Sequence, residues 1–147
     1  MAVKVVTDST ADLPPAMAKE LGVIVAPLNI HFGTEVYRDG VEILPDEFYR
    51  RLVASSRLPT TCQPTVGDFM RSYQELSQIT NEIVSIHISA KLSGTLNSAN
   101  QAAQRVASMD EVVKEAELTI SSVQLFGLLD TLEHLQKGCR IGKAQAF

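Results

Sequence analysis

The sequence is poor in the residues that most metal, redox and nucleic-acid sites require. Its two cysteines, Cys62 and Cys139, lie far apart and match no zinc or disulfide-exchange spacing. Its three histidines are isolated from one another, so no metal site is expected. No apolar run approaches the roughly 18 residues of a membrane span. The first residues enter a strand directly, without the pattern of a signal peptide. Lysines and arginines are scattered and the net charge is −4, which argues against the basic footprint of a nucleic-acid surface. These absences leave a soluble protein of the reducing cytoplasm as the expectation, with no metal or organic cofactor. At 147 residues and 45% apolar, the chain is long enough for one real core.

The most informative stretch is residues 83–103. Ile83, Val84, Ile86 and Ile88 read as a buried strand interrupted by Ser85 and His87. From Leu96 to Val106 the chain reads as a helix, on its Ala, Gln and Leu. The small, hydroxylated residues 89–95 join the two. A helix opening there presents unpaired N–H groups and a positive dipole end. Gly94 permits close approach to the backbone, and Ser93 and Thr95 add hydroxyls. This is the chemistry of an anion or carboxylate seat. A plainer reading stands beside it: Ser93 or Thr95 caps the helix and does nothing else.

Elsewhere, residues 3–6 read as a strand, followed by a polar turn at residues 7–10. A helix then runs through Met17 and Leu21 to Gly22, with Asp12 as its expected cap and Pro14 and Pro15 in its first turn. Residues 23–28 form the next strand. Residues 32–40 read as a hairpin excursion with turn signals at Gly33 and at Asp39 with Gly40. Phe48, Tyr49, Leu52 and Val53 recur at helical spacing. A loop at residues 57–64 carries Thr60 and Thr61 between Pro59 and Pro64, stiff and rich in donors. Thr65 and Asp68 have capping-box spacing before a helix through Phe69, Tyr73 and Leu76. Strands alternating with helices predict an α/β architecture with a mostly parallel sheet flanked by helices. In such sheets ligands sit beyond the carboxyl ends of the strands, where strand order reverses.

Taken together, the Thr-Asp-Ser at residues 7–9, the Pro-Thr-Thr-x-Gln-Pro at 59–64 and the Ile-Ser-x-Lys-Leu-Ser-Gly-Thr at 88–95 resemble the DegV family. Residues 32–40 and 130–142 are similar to it too. The resemblance runs from residue 2 to about 107 and resumes from about 109 to 147. It implies a two-domain α/β protein that is not an enzyme. It binds one long-chain fatty acid, its carboxylate held by hydroxyl and backbone donors and its acyl chain in an apolar tunnel. The resemblance further implies a fatty acid kinase as partner, to which the bound acid is presented, within phospholipid metabolism. Carried over residue by residue, Thr61, Ser93 and the Gly94 N–H become the carboxylate donors. Asp8, Ser9, Thr10, Cys62 and Gln63 become supports of the pocket.

The departures from the family pattern shape the expectations. Cys62 stands where the family has Ser, and Cys139 where it has a second Gly. The strand ending in Asp-Ser and the helix that normally follow the Ser93 helix are missing, so residues 104–108 run straight into a segment resembling a much later helix. The chain is therefore expected to comprise a lipid-carboxylate-binding domain at residues 1–107 and a partial second domain at 108–147. Within the latter, a strand is expected at residues 118–126 and a helix at 128–135. Their uncovered apolar faces would favour homo-oligomers. Two other functions compete with the lipid carrier. One is an enzyme using Ser93 on an acyl or phosphate group. It is disfavoured because the turn is neither a nucleophile elbow nor a phosphate loop, and because no carboxylate is placed to orient His87. The other is a remnant or an interaction subunit that folds only as an oligomer.

Overall fold

The computed structural model describes residues 3–80, 82–109 and 117–122, the last six and residues 108–109 by backbone alone. The elements are β1 (Lys4–Asp8), α1 (Pro15–Leu21), β2 (Val23–Ala26), β3 (Asn29–Phe32), β4 (Glu35–Arg38), α2 (Pro45–Ala54), β5 (Thr60–Cys62), α3 (Val66–Ser77), β6 (Glu82–His87), α4 (Thr95–Met109) and β7 (Glu117–Ser122). A parallel sheet with order β2-β1-β6-β7 forms the main layer. A smaller antiparallel sheet has order β4-β3-β5. The expected α/β class, with helices covering a parallel sheet, is what the chain adopts.

Alternation along the strands divides the core between the two faces of the main sheet. On one face Val6, Ala26 and Ile83 pack with Phe69, Tyr73 and Leu76 of α3 and with Ala99, Ala102 and Val106 of α4. The small residues of α4 let it lie close to α3, and Phe69 at 0% exposure fills the space between them and the strands. Burying a side chain of that size contributes about 3 kcal/mol. On the other face Val5, Val23 and Ile86 are covered by Ala11, Leu13 and Leu21 around α1.

Local signals explain most boundaries. Gly22 ends α1 in the left-handed conformation, φ 65°, with its N–H on the Ala18 and Lys19 carbonyls. Thr65 and Asp68 form a reciprocal capping box at the start of α3: Thr65 Oγ1 accepts from the Asp68 N–H, and Asp68 accepts from the Thr65 N–H. Four boundaries differ from the sequence reading. Thr7 and Asp8 belong to β1 and not to a turn, because β2 extends the ladder to Asp8 opposite Ala26. Asp12 does not cap α1. It closes the short 3₁₀ turn Ser9–Ala11 in the left-handed region, φ 50°, and α1 begins after Pro14 with no side-chain cap. β2 stops at Ala26, since Pro27 has no N–H to donate to a ladder. The stiff loop contains a strand, β5, because Thr60, Thr61 and Cys62 pair with His31, Ile30 and Asn29.

β7 comes from the segment expected in a second unit, and its backbone pairs in parallel with the whole of β6 in the main sheet. The helix expected at residues 128–135 lies outside the described residues, as does the far end of the strand expected at 118–126. Around the small sheet and α2, Val36, Val41, Leu44, Tyr49, Val53 and Leu58 are exposed apolar side chains.

Candidate functional site

The order β2-β1-β6-β7 places the reversal of the sheet between β1 and β6: from β1 the chain builds outward to β2, and from β6 outward to β7. Such a reversal leaves a crevice at the carboxyl edge, because the connections leave the two central strands in opposite directions. Two expected turns flank it. After β1 comes the 3₁₀ turn Ser9–Ala11, and after β6 the turn of residues 89–94.

Asp8 organises the first turn. It is 1% exposed, and its Oδ1 accepts from the Thr10 N–H at 3.0 Å and from the Thr10 hydroxyl at 2.5 Å. Ser9 Oγ accepts the Leu28 N–H at 3.1 Å, tying the turn to the chain beyond β2. Asp8, Ser9 and Thr10 are thus committed to one another and to the scaffold.

The second turn is closed by the Leu92 and Ser93 N–H groups, both donated to the Ser89 carbonyl. Ser93 Oγ lies 3.3 Å from the Thr95 N–H, which it accepts, and 2.9 Å from Thr95 Oγ1. The plain capping role is therefore real. Thr95 is fully buried, whereas Ser93 and Gly94 are half-buried.

The third piece arrives through β5. Thr61 stands opposite Ile30, so both side chains lie on the same face of the small sheet, and Ile30 is buried. Extended geometry turns Gln63 to that same side and Cys62 to the other. Gln63 reaches Gly94: a Cβ built on Gly94 would lie 2.8 Å from Gln63 Nε2 and 3.1 Å from its Cδ. Only a residue without a side chain lets the carboxamide settle there. Thr61 is two residues, about 7 Å of extended chain, from the Gln63 whose side chain approaches Gly94. Thr61, Cys62 and Gln63 are all exposed, and Cys62 is a free thiol.

His87 departs most from expectation. Its Nδ1 is 2.7 Å from Asp8 Oδ2 and its Nε2 is 2.7 Å from Ser85 Oγ, which in turn lies 2.8 Å from Tyr73 OH. A carboxylate does orient it, contrary to the sequence reading; the partner is 79 positions away and only the β1–β6 adjacency brings it there. The order Asp–His–Ser has the connectivity of a hydrolytic triad. It cannot act as one: Ser85 is 0% exposed beneath Tyr73, and Phe69 lies edge-on to the imidazole with centroids 4.9 Å apart. Burial pushes the Tyr73 phenol up to about 12, against a smaller opposing effect of its bond to Ser85. Among the described residues Ser93 makes no bond to His87, whose two nitrogens are engaged by Asp8 and Ser85.

A cavity of about 250 Å³ opens at the end of β2, between Pro27, Arg38, Asp68 and Arg71, and none of the expected site residues lines it. Asp68 there is held below the ordinary carboxylate range. Partial burial acts to raise it, but the Thr65 hydroxyl and N–H, then Arg38 and Arg71, together outweigh that cost. No group of three or more metal-binding side chains occurs among the described residues. No helix among them is long and apolar enough to cross a membrane.

Comparison with known proteins places these features in context. The profile described as "Uncharacterised protein, DegV family" matches residues 2–108. Protein DegV of Bacillus subtilis is 31% identical over 179 aligned positions, covering 100% of this chain and 64% of that protein. Those positions outnumber the 147 residues here, so the relative carries sequence that this chain lacks. A fatty-acid-binding DegV family protein from Thermus thermophilus has a similar structure, with 35% identity and a TM-score of 0.78, over 96% of this chain and 50% of that one. A stearic acid-binding protein from Eubacterium ventriosum aligns with a TM-score of 0.83 at 30% identity, over 95% of this chain and 49% of that one. The chain thus spans about half the length of these solved relatives.

Proposed function

The chain belongs to the DegV family, solved relatives of which are fatty-acid-binding proteins, and from that premise we propose that it is not an enzyme and that it binds the carboxylate of a long-chain fatty acid at the β1–β6 crevice. In this reading Thr61, Ser93 and the Gly94 N–H donate to the carboxylate, and Asp8, Ser9, Thr10, Cys62 and Gln63 support them. The observation that supports it is the approach of the Gln63 side chain to Gly94, two residues from Thr61 and one from Ser93 in the chain, respectively. A carboxylate seated beside an apolar chain loses its hydration and needs several charge-assisted hydrogen bonds in return. Neutral hydroxyls and amides supply them without burying a second charge. The acyl chain would add about 0.8 kcal/mol per buried CH₂.

Residues 1–107 would form the carboxylate-binding unit, and residues 108–147 would contribute apolar surface to the tail site. The partner would be a fatty acid kinase that phosphorylates the presented acid, in the cytoplasm; the exposed apolar side chains around α2 and the small sheet would be available to that partner or to a second copy of the chain.

Native mass spectrometry with added oleate tests the binding directly. A 1:1 adduct is expected, weakened about tenfold or more in Thr61→Ala and in Ser93→Ala with the fold retained, since each loses one charge-assisted bond. No adduct with the wild-type chain, or undiminished binding in both variants, would remove Thr61 and Ser93 from the site.

A further inference from the structure

The crevice has a floor, and it is made of side chains. Main-chain pairing of β1 with β6 covers Lys4, Val5 and Val6 opposite Ile83, Val84 and Ser85. Beyond that register β1 continues alongside β2 as far as Asp8, and β6 alongside β7 as far as His87. The last two residues of each central strand are thus held to their outer neighbours and joined to one another by side chains. Thr7 Oγ1 donates to the Ile86 carbonyl at 2.9 Å, and His87 Nδ1 meets Asp8 Oδ2 at 2.7 Å.

We propose that the His87–Asp8 bond is a buckle that sets the width of the β1–β6 crevice, making His87 a positioning residue for the carboxylate seat. The inference rests on the fatty-acid reading for its functional consequence and on geometry for the rest. The Asp8 carboxylate is joined to both sides of the crevice at once. Its Oδ1 holds Thr10 of the first turn, and its Oδ2 holds the ring of His87, two residues before the Ser89 carbonyl that closes the second turn. A carboxylate only accepts, so Nδ1 carries the proton. Nε2 meets Ser85 Oγ, which in turn meets Tyr73 OH. Every member is satisfied, and the imidazole cannot rotate without leaving a buried polar atom unpaired. Tyr73 and Ser85 anchor the ring from behind; the Asp8 bond is the outermost link between β1 and β6, beyond that of Thr7 to Ile86.

The two ring nitrogens can be separated by substitution. His87→Asn retains a donor at the place of Nδ1 and loses the link to Ser85. His87→Gln retains a polar group at the place of Nε2 and loses the donor to Asp8. Tyr73→Phe cuts the far end of the chain. The ligand-free amide spectrum supplies the first readout: the Thr10, Ser93 and Gly94 signals are expected to move in His87→Gln and to stay near wild type in His87→Asn and Tyr73→Phe. Oleate affinity supplies the second: a loss of about tenfold in His87→Gln, with His87→Asn and Tyr73→Phe within about threefold, whatever the stability of each. If His87→Gln does not fold, Asp8→Ala replaces it: it removes the acceptor of Nδ1, and the Ser93 and Gly94 signals, remote from Asp8 in sequence, should move as in His87→Gln. Affinity that falls in step with stability across all variants, or Ser93 and Gly94 amides that stay unmoved when the Asp8 bond is lost, would overturn the buckle. A wild-type chain that takes no oleate would defeat the fatty-acid reading alone, and the amide pattern would still decide the geometry.

Discussion

At the scale of single residues, the features that matter here are those where one side chain serves two elements. Asp8 holds Thr10 of the first turn and His87 at the end of β6, and Gln63 lays its carboxamide close to Gly94. Asp68 serves the cap of α3 and pairs with Arg38 at 3.4 Å and Arg71 at 3.2 Å. Its carboxyl is held below the ordinary value in the folded chain, so the stability it contributes is complete above the unfolded carboxylate range, about pH 4. That contribution is lost as pH falls through the depressed folded value. The stability gap between wild type and Asp68→Asn, measured by urea unfolding, should therefore be constant at neutral pH and shrink below about pH 4. A gap that widens on acidification would show that the partners named here do not hold the charge. The capping role of Asp68 was legible from its three-residue spacing to Thr65. The arginine from β4 was not, since nothing local links residue 38 to residue 68.

At the scale of elements, local signals set α3 and α4 differently. The reciprocal capping box gives α3 a sharp start, and Thr65→Ala should cost about 1 kcal/mol in chemical denaturation without altering oleate affinity. A loss of affinity comparable to that of Ser93→Ala would mean that the cap also shapes the crevice. For α4 the start is built from Ser93 and Gly94, so the same residues that open the helix face the proposed ligand. The plain capping reading and the carboxylate reading of this turn are therefore compatible: Ser93 accepts the Thr95 N–H, and the two hydroxyls at 2.9 Å leave one O–H proton to be directed outward. The strand β5 shows the opposite balance. Between Pro59 and Pro64 the residues carry no periodicity long enough to declare a strand. Three of them, Thr60–Cys62, become one because β3 offers an edge, and that pairing sets Thr61 opposite Ile30.

At the scale of the whole molecule, a ligand bound at the β1–β6 edge would clamp together strand ends that meet through side chains beyond their main-chain pairing. Binding to the folded state alone adds RT ln(1 + [L]/Kd), about 2.7 kcal/mol at a hundredfold excess over Kd. Oleate should accordingly raise the thermal midpoint of the wild-type chain by several degrees and that of Thr61→Ala by much less at the same concentration. A midpoint that falls with oleate, as detergents cause, would speak for surface binding and not for a seat. Because this chain spans about half of its solved relatives, the experiment also measures how much of a fatty-acid site this half retains.

The alternation of strands and helices, the parallel sheet, the end of α1 at Gly22 and the start of α3 at Thr65 all follow from the sequence by itself. Each is decided by interactions within a few residues: side-chain alternation, helical period, a cap, a left-handed glycine. Three things were settled only in three dimensions: the strand order that sets β1 beside β6, the pairing of β5 with β3, and the Asp8–His87–Ser85–Tyr73 chain. They join residues remote in sequence, and such pairs form only after burial of apolar faces has fixed which strands are neighbours. His87 therefore reads from the sequence as a polar interruption of a strand, and the fold supplies the carboxylate that gives it a task.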